Sequence, residues 1–112
     1  HNKFSSNRVV IESFLEGVEA SLMAFVDGNH IVHRVSAQDH KPIYDGDKGP
    51  NTGGMGGFSP SMALNPLVES YVLESIVNPT LYGIQSEGMD FRGILYFGLM
   101  IHTNNRASVV LL

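Results

Sequence analysis

The sequence predicts an α/β protein of the α+β type, in which a mostly antiparallel sheet carries a kinked helix on one face. Three observations support this fold class. Apolar and β-branched runs separated by a turn signal occupy the first third of the chain, an apolar pattern with helical spacing follows a glycine-rich segment, and two further apolar runs come last. A tight turn between neighbouring strands favours antiparallel pairing.

The first third of the chain is predicted to hold three strands. Val9 to Phe14 is β-branched and apolar with little polarity, and Glu19 to Val26 has the same character. Asp27-Gly28 then supplies a hairpin signal, because glycine tolerates positive φ in a tight turn. The returning strand is predicted at Ile31 to Ala37, so this region should form an antiparallel meander.

A glycine-rich segment, Asp45 to Gly57, is predicted to be a loop without helix or strand, because six of its residues are glycine. It lacks the Gly-Lys-Ser/Thr ending of a Walker A loop and the GxGxxG spacing of a dinucleotide-binding turn. Glycines let backbone N–H groups approach an anion closely. The segment therefore fits either a substrate-binding loop or a flexible connector.

The helix is predicted to begin at Asn65-Pro66, because asparagine can cap free N–H groups and proline suits the first helical position. Pro79 should kink the helix or divide it, and Gly88 fits its end. The apolar residues at helical spacing are Val68, Val72, Ile76, Leu81 and Ile84.

Two further strands are predicted after the helix, at Phe91 to Ile101 and at Ala107 to Leu112. The residues between them, Thr103 to Arg106, have the usual composition of a turn. This completes an order of strands, glycine-rich loop, helix and strands.

The composition argues against several classes of function and partner. The chain has 112 residues, enough for one small domain, and its formal net charge of −4 gives no reason to expect a nucleic-acid partner. The absence of cysteine excludes disulfides, thiol catalysis and thiolate metal sites. No apolar run approaches the roughly 20 residues that cross a bilayer, so no membrane partner is expected.

Both ends suggest an excised piece. The chain starts at His1 without an initiator Met, and it stops within the apolar run Val109 to Leu112. We expect exposed apolar ends to promote self-association.

A first candidate site lies at Ile11 to Glu19, where a predicted strand ends, the chain turns at Gly17 and acidic residues flank the turn. A carboxylate after such a turn can accept two hydrogen bonds from a ribose diol, and the extended backbone before it can pair with the adenine edge. The same pattern also fits a strand followed by a solvated acidic turn, because exposed charge is common.

A second candidate site is the segment Gln38 to Lys41, at a strand end just before the glycine-rich segment. A lysine there can neutralise phosphate oxygens, and a carboxylate can hold an ammonium group, although a polar strand end also fits. His30 and His33 lie three apart in a predicted strand, which makes them poor partners for a shared metal. We interpret both, and the isolated His102, as structural or surface residues.

Four segments occur in order: VVIESFLEGVEASLMAFVDG (Val9 to Gly28), AQDHK (Ala37 to Lys41), DGDKGPNTGGMGGFSP (Asp45 to Pro60) and GILYFGLMI (Gly93 to Ile101). Together they resemble the glycinamide ribonucleotide synthetase family (phosphoribosylamine–glycine ligases) of the ATP-grasp superfamily. The match runs from about Val9 to the end of the chain, and GPNTGGMG is its most specific part. Pro42 departs from the family, which usually has arginine there.

The resemblance implies a cytoplasmic carbon–nitrogen ligase of purine biosynthesis whose small-molecule partners are ATP, glycine and 5-phosphoribosylamine. Glycine would first be phosphorylated to glycyl phosphate, and the amine would then displace phosphate to give glycinamide ribonucleotide. Phosphorylation supplies a leaving group to a carboxylate that is otherwise a poor electrophile.

The resemblance also implies residue roles. Lys41 is the catalytic candidate, as a cation facing phosphate. The nucleotide-binding candidates are Glu12, Phe14, Leu15 and Glu19, with the hinge backbone facing adenine and Glu19 holding the ribose hydroxyls. The substrate-binding candidates are Asp39, His40, Asn51, Thr52, Gly53, Gly54 and Met55.

Residues 1–112 are accordingly expected to be a single partial ATP-grasp domain that forms one lobe of the core. The phosphate-grasping lobe should precede it, and the ligands of Mg²⁺ or Mn²⁺ should follow Leu112, so no metal ligand is expected within it. A nucleotide needs both walls of its cleft and a metal ion. The isolated chain should therefore be inactive.

Two alternatives remain open from the sequence. Another ATP-grasp carboxylate–amine ligase would share the hinge and Glu19, but it should lack GPNTGGMG. A non-catalytic interaction module would be favoured by loss of Glu19 or Lys41, and both residues are present.

Overall fold

The computed structural model describes residues 7–112, except the side chains of residues 32 and 33. The strands are β1 (Val18–Asp27), β2 (His30–Asp39), β3 (Pro42–Tyr44), β4 (Lys48–Asn51), β5 (Gly57–Phe58), β6 (Arg92–Ile101) and β7 (Ala107–Leu111). The helices are α1 (Pro66–Val72) and α2 (Asn78–Ser86), joined by a π-helical turn at Leu73–Val77.

A five-stranded antiparallel sheet with the order β5-β2-β1-β6-β7 carries the helical segments on one face, which confirms the predicted fold class. A separate ribbon pairs β3 with β4. The predicted Asp27-Gly28 hairpin is confirmed: Gly28 has a φ of 57°, and it joins β1 to β2. Among residues 7–112, no helix is long and apolar enough to cross a membrane.

The core lies between the sheet and the helical segments. Successive strand residues point to opposite faces, so every second residue of β1 is buried, from Ala20 to Val26. Glu19, Ser21 and Met23 therefore belong to the face away from the helices. The core side chains are Ala20, Leu22, Ala24, Val68, Val72, Val77, Phe97, Leu99, Ile101 and Ala107.

The helix begins as the sequence predicts. The Asn65 side-chain oxygen accepts hydrogen bonds from the amides of Leu67 at 3.0 Å and Val68 at 3.1 Å. Pro66 occupies the first turn, where the N–H that proline lacks would have no helical partner. The Asn65 cap and Pro66 together fix where the helix starts.

The helix is divided just before Pro79, as the sequence predicts. The π-helical turn ends at Val77, and Pro79 then lies in the first turn of α2. A wider turn inserts a residue into the helical repeat, so the buried position moves by one along the sequence. Val77 is 1% exposed, whereas the predicted Ile76 is only half-buried.

The predicted strand at Val9 to Phe14 is wrong, because residues 8–16 lie in no helix or strand. Strand propensity reflects packing on a pleated, half-buried surface, and this segment pairs with no neighbouring strand of the described chain. Its side chains are solvent-exposed, with Ile11 at 93% and Phe14 at 90%.

The predicted absence of strands from Asp45 to Gly57 is also wrong. The β3–β4 hairpin turns through Gly46 and Asp47, which have φ values of 72° and 60°, and β5 begins at Gly57. Glycine weakens strands but does not prevent pairing where a partner backbone is close. The segment is thus folded back on β2 and β3 instead of being an open loop.

Candidate functional site

An ion pair marks one end of the face opposite the helices. Glu19 follows the first residue of β1, and Lys41 lies between β2 and β3. The Lys41 ammonium lies 2.8 Å from Glu19 Oε2, and the two side chains are 38% and 40% exposed. The structure therefore brings together the residues predicted to contact phosphate and ribose.

Lys41 is held in its charged form. The hydrogen bond to Glu19 raises the pKa of Lys41 above its ordinary value of 10.5, and partial burial opposes this effect. The negative charges of Glu19 and Asp39, together with Tyr96, raise the pKa further. The site therefore presents a cation throughout the neutral pH range.

The pH dependence of the ion pair follows from this raised pKa. Its stabilisation should be present in full below pH 10.5 and should be lost as the pH rises through the pKa of folded Lys41. We expect the difference in melting temperature between the wild type and Lys41→Met to stay constant between about pH 7 and 9 and to shrink above about pH 10.5. Added salt should reduce the same difference, because the pair is partly exposed. A difference that changes between about pH 7 and 9 would contradict this assignment.

The glycine-rich segment folds back onto His40 and Lys41 through main-chain hydrogen bonds. The His40 amide donates to Gly56 O at 2.9 Å, and the Met55 amide donates to His40 O at 2.7 Å. The Thr52 amide and hydroxyl both donate to Lys41 O at 2.8 Å. The predicted substrate loop is therefore attached to the strand end that carries the ion pair.

Glycine is required where this segment passes the Asp39 carboxylate. A Cβ on Gly57 would lie 3.0 Å from Asp39 Oδ1, and one on Gly54 would lie 3.4 Å from Oδ2. Gly54 also has a φ of 128°, which side chains rarely adopt. The Asp39 carboxylate thus lies against backbone and remains exposed to solvent. The centroid of the His40 ring lies 5.2 Å from that of the Phe58 ring.

A cleft of about 520 Å³ joins the ion pair to the segment before β1. This volume falls in the usual range of small-molecule sites. The predicted site residues that line it are Phe14, Leu15, Glu19, Asp39, Lys41 and Asn51. The predicted site residues that do not line it are Glu12, His40, Thr52, Gly53, Gly54 and Met55.

Ser21 and Tyr96, which were not predicted from the sequence, extend the site across the sheet. Their hydroxyl oxygens are 2.9 Å apart, and both residues line a small pocket of about 90 Å³ with Glu19 and Lys41. Strand alternation from Glu19 could have identified Ser21. Tyr96 becomes a neighbour only through the register that pairs β1 with β6.

The described residues do not fit a divalent metal ion. No group of three or more His, Asp or Glu side chains in residues 7–112 lies close enough to hold one. The two carboxylates of the site, Glu19 and Asp39, share their pocket with the Lys41 ammonium, which repels a second cation. The chemistry available here is recognition of a polar ligand by a carboxylate, an ammonium and backbone amides.

The sequence and the fold both match known proteins. The family model for the phosphoribosylglycinamide synthetase ATP-grasp (A) domain matches residues 1–111. Phosphoribosylamine–glycine ligase of Clostridium acetobutylicum is 56% identical over 99 residues, which are 88% of this chain and 24% of that protein. The ligase of Vigna unguiculata is 54% identical over 94 residues, covering 84% of this chain and 30% of that protein.

A crystal structure of phosphoribosylamine–glycine ligase from Thermotoga maritima superposes with a TM-score of 0.71 at 39% identity. The superposition covers 88% of this chain and 25% of the Thermotoga chain. The chain thus spans about a quarter of the length of the Clostridium and Thermotoga ligases. These matches confirm the resemblance inferred from the four motifs, and the chain belongs to the phosphoribosylglycinamide synthetase ATP-grasp (A) domain family.

Proposed function

We propose that this chain is the nucleotide-facing part of a longer phosphoribosylamine–glycine ligase. The observation that carries the proposal is the single cleft in which the Glu19–Lys41 pair meets the segment at Phe14 and Leu15. The relatives named above bear the name of this ligase, and at 56% identity the likeness extends well beyond the fold.

The proposed reaction has two steps. The glycine carboxylate attacks the terminal phosphorus of ATP, which gives glycyl phosphate and ADP. The amine of 5-phosphoribosylamine then attacks the glycyl carbonyl, loses a proton and expels phosphate, which gives glycinamide ribonucleotide. Holding the reactants in line and neutralising phosphate charge accelerates both steps.

The nucleotide is proposed to lie along the cleft. The backbone from Glu12 through Phe14 and Leu15 would face adenine, and Glu19 would accept hydrogen bonds from the ribose hydroxyls. Lys41 would turn toward the phosphates, so a bound nucleotide would share or replace the 2.8 Å contact seen here. A phosphate oxygen can take that place because it carries the same charge as the carboxylate.

The acceptor side is proposed to be the glycine-rich segment. Asp39 is the exposed carboxylate that could hold an ammonium group, and His40 lies beside it. The segment's backbone amides could approach phosphate. The residues proposed for this side are Asp39, His40, Asn51, Thr52, Gly53, Gly54 and Met55.

ATP and a divalent metal ion are the general requirements of ATP-grasp ligases. We propose Mg²⁺ or Mn²⁺, with ligands in the longer protein beyond Leu112, and a preceding lobe that closes over the phosphates. The setting proposed is the cytoplasm, with small molecules rather than nucleic acid or membrane as partners. The 112-residue chain alone should be inactive, because it offers one wall of the cleft.

Exposed apolar residues in the last strand support self-association of the isolated chain. β7 is an edge strand of the sheet, and Val109 and Leu111 are 43% and 60% exposed. Unpaired strand edges with apolar side chains favour edge-to-edge pairing. The other chain end that was expected to promote self-association, at His1, lies outside the described residues.

The function is tested by ADP release from Mg-ATP, measured on the full-length protein and on the 112-residue chain side by side. We expect release by the full-length protein only when glycine and 5-phosphoribosylamine are both present, and none by the short chain. Release with another acceptor would indicate a different ATP-grasp ligase. Full-length protein that releases no ADP would indicate a non-catalytic module, and activity of the short chain would show that the site needs fewer residues than proposed.

A further inference from the structure

His102 lies at the end of β6, where it faces the segment that enters β1. Its amide donates to Arg106 O at 2.8 Å, which closes the turn between β6 and β7. Ile101, the residue before it, pairs with Val18 at the start of β1. The half-buried imidazole is thereby placed beside Glu16, 86 positions earlier in the chain.

The imidazole bridges two elements. Its Nδ1 lies 2.7 Å from the carbonyl oxygen of Glu16, and its Nε2 lies 2.9 Å from Ser108 Oγ. A carbonyl oxygen can only accept, so Nδ1 must carry the hydrogen. In the neutral ring Nε2 then accepts from the Ser108 hydroxyl, and in the charged ring the hydroxyl rotates to accept. Both connections therefore exist in either charge state of His102.

The attached segment has little room to move where it enters the sheet. A Cβ on Gly17 would overlap the carbonyl oxygen of Ile101, so the backbone at Gly17 lies directly against β6. Residues 8–16 lie in no helix or strand. The bond from His102 to Glu16 fixes the segment just before this close contact.

The same segment forms a wall of the cleft described above, from Phe14 to Glu19, whereas His102 is not part of that wall. We propose that His102 is a positioning residue that holds the Phe14–Gly17 segment in the conformation that receives the nucleotide. The inference rests on the proposed function only in taking the ligand of this cleft to be a nucleotide. His102 acts through the Glu16 carbonyl and touches no substrate.

The test uses the full-length protein and the non-hydrolysable ATP analogue adenylyl imidodiphosphate with Mg²⁺, titrated by calorimetry. His102→Ala should weaken analogue binding about 3- to 10-fold, the usual effect of one lost hydrogen bond. His102→Asn should stay within about 2-fold of the wild type, because its amide nitrogen can replace Nδ1 as donor. His102→Gln places its amide nearer the position of Nε2 and should behave like His102→Ala.

Kinetics separate positioning from chemistry. In all three variants the KM for ATP should follow analogue affinity, whereas kcat at saturating ATP and the KM for glycine should stay within about 2-fold of the wild type. His30→Ala is the matched control, because His30 is exposed at the opposite end of the sheet. This variant should leave analogue affinity, the KM for ATP and kcat unchanged.

Two results would overturn the inference. One is analogue affinity unchanged in His102→Ala. The other is equal loss in His102→Ala and His102→Asn together with a lower melting temperature, which would mean that His102 only stabilises the fold. A wild type that binds the analogue but makes no ADP with glycine and 5-phosphoribosylamine would refute the proposed reaction, and the comparison of analogue affinities would still decide the role of His102.

Discussion

Replacement of Lys41 by methionine in the full-length protein should lower the rate of ADP formation by about 100-fold or more. Lys41 is the cation of the cleft that pairs with Glu19 at 2.8 Å, and its raised pKa keeps it charged. Methionine keeps much of the side-chain volume but leaves the phosphate charge and the Glu19 carboxylate unopposed. Steady-state measurement of ADP release at saturating ATP gives the loss directly.

Two further variants show whether ADP formation depends on a lysine at position 41 or only on the charge of the protein. Lys41→Arg keeps the charge but changes its shape from a point to a planar fork, so its activity should fall between those of the wild type and Lys41→Met. Arg92→Met removes an exposed cation at the opposite end of the sheet, away from the cleft, and it should retain full activity. Lys41→Met with activity within about 3-fold of the wild type would exclude a phosphate-facing role for Lys41.

Replacement of Gly17 by alanine should destabilise the junction between β1 and β6 by about 2 to 4 kcal/mol. Gly17 has a φ of 154°, and an added Cβ would overlap the Ile101 carbonyl. Either the backbone must rotate or the two strands must separate at that end. Amide hydrogen exchange should therefore accelerate in β1 and β6, and nucleotide affinity should fall because the cleft wall moves.

Gly83 provides the matched control for this substitution. It lies within α2, where an added Cβ meets nothing within 4 Å. Alanine is a better helix former than glycine, so Gly83→Ala should leave exchange in the sheet unchanged and should slow it in α2. Equal exchange rates in Gly17→Ala and the wild type would show that the junction tolerates a side chain.

Short-range signals predicted much of the fold. The Asp27-Gly28 turn and the Asn65-Pro66 helix start are fixed by glycine conformation and by capping, which need no distant partner. β6 was predicted to within one residue because its apolar run is long and is bounded by polar residues. Pro79 located the division of the helix, since proline lacks the donor that an unbroken helix requires.

Features that depend on distant partners could not be predicted. Val9 to Phe14 has strand composition but no strand beside it in the described chain, so composition alone was misleading. The β3–β4 pairing within the glycine-rich segment needs two short runs to meet at a particular register. Nor could the helical spacing of the apolar residues indicate that the π-helical turn would bury Val77 more deeply than Ile76.

In the candidate site too, residues within local motifs could be predicted and residues that depend on distant partners could not. Glu19, Asp39 and Lys41 were identified from motifs, and the structure brings them into one pocket. Tyr96 was missed because it comes close to the site only through the pairing of β6 with β1. His102 was interpreted as a structural or surface residue, and the role proposed for it depends on a contact with Glu16 across the end of the sheet. Such tertiary partners have no local sequence signal.

A crystal structure of the full-length protein with Mg²⁺ and adenylyl imidodiphosphate would show whether ATP binds in this cleft. We expect adenine beside Phe14 and Leu15, the ribose hydroxyls on the Glu19 carboxylate, and Lys41 turned from Glu19 toward a phosphate oxygen. A nucleotide bound elsewhere, with the Glu19–Lys41 pair intact at 2.8 Å, would contradict the assignment of this cleft to ATP.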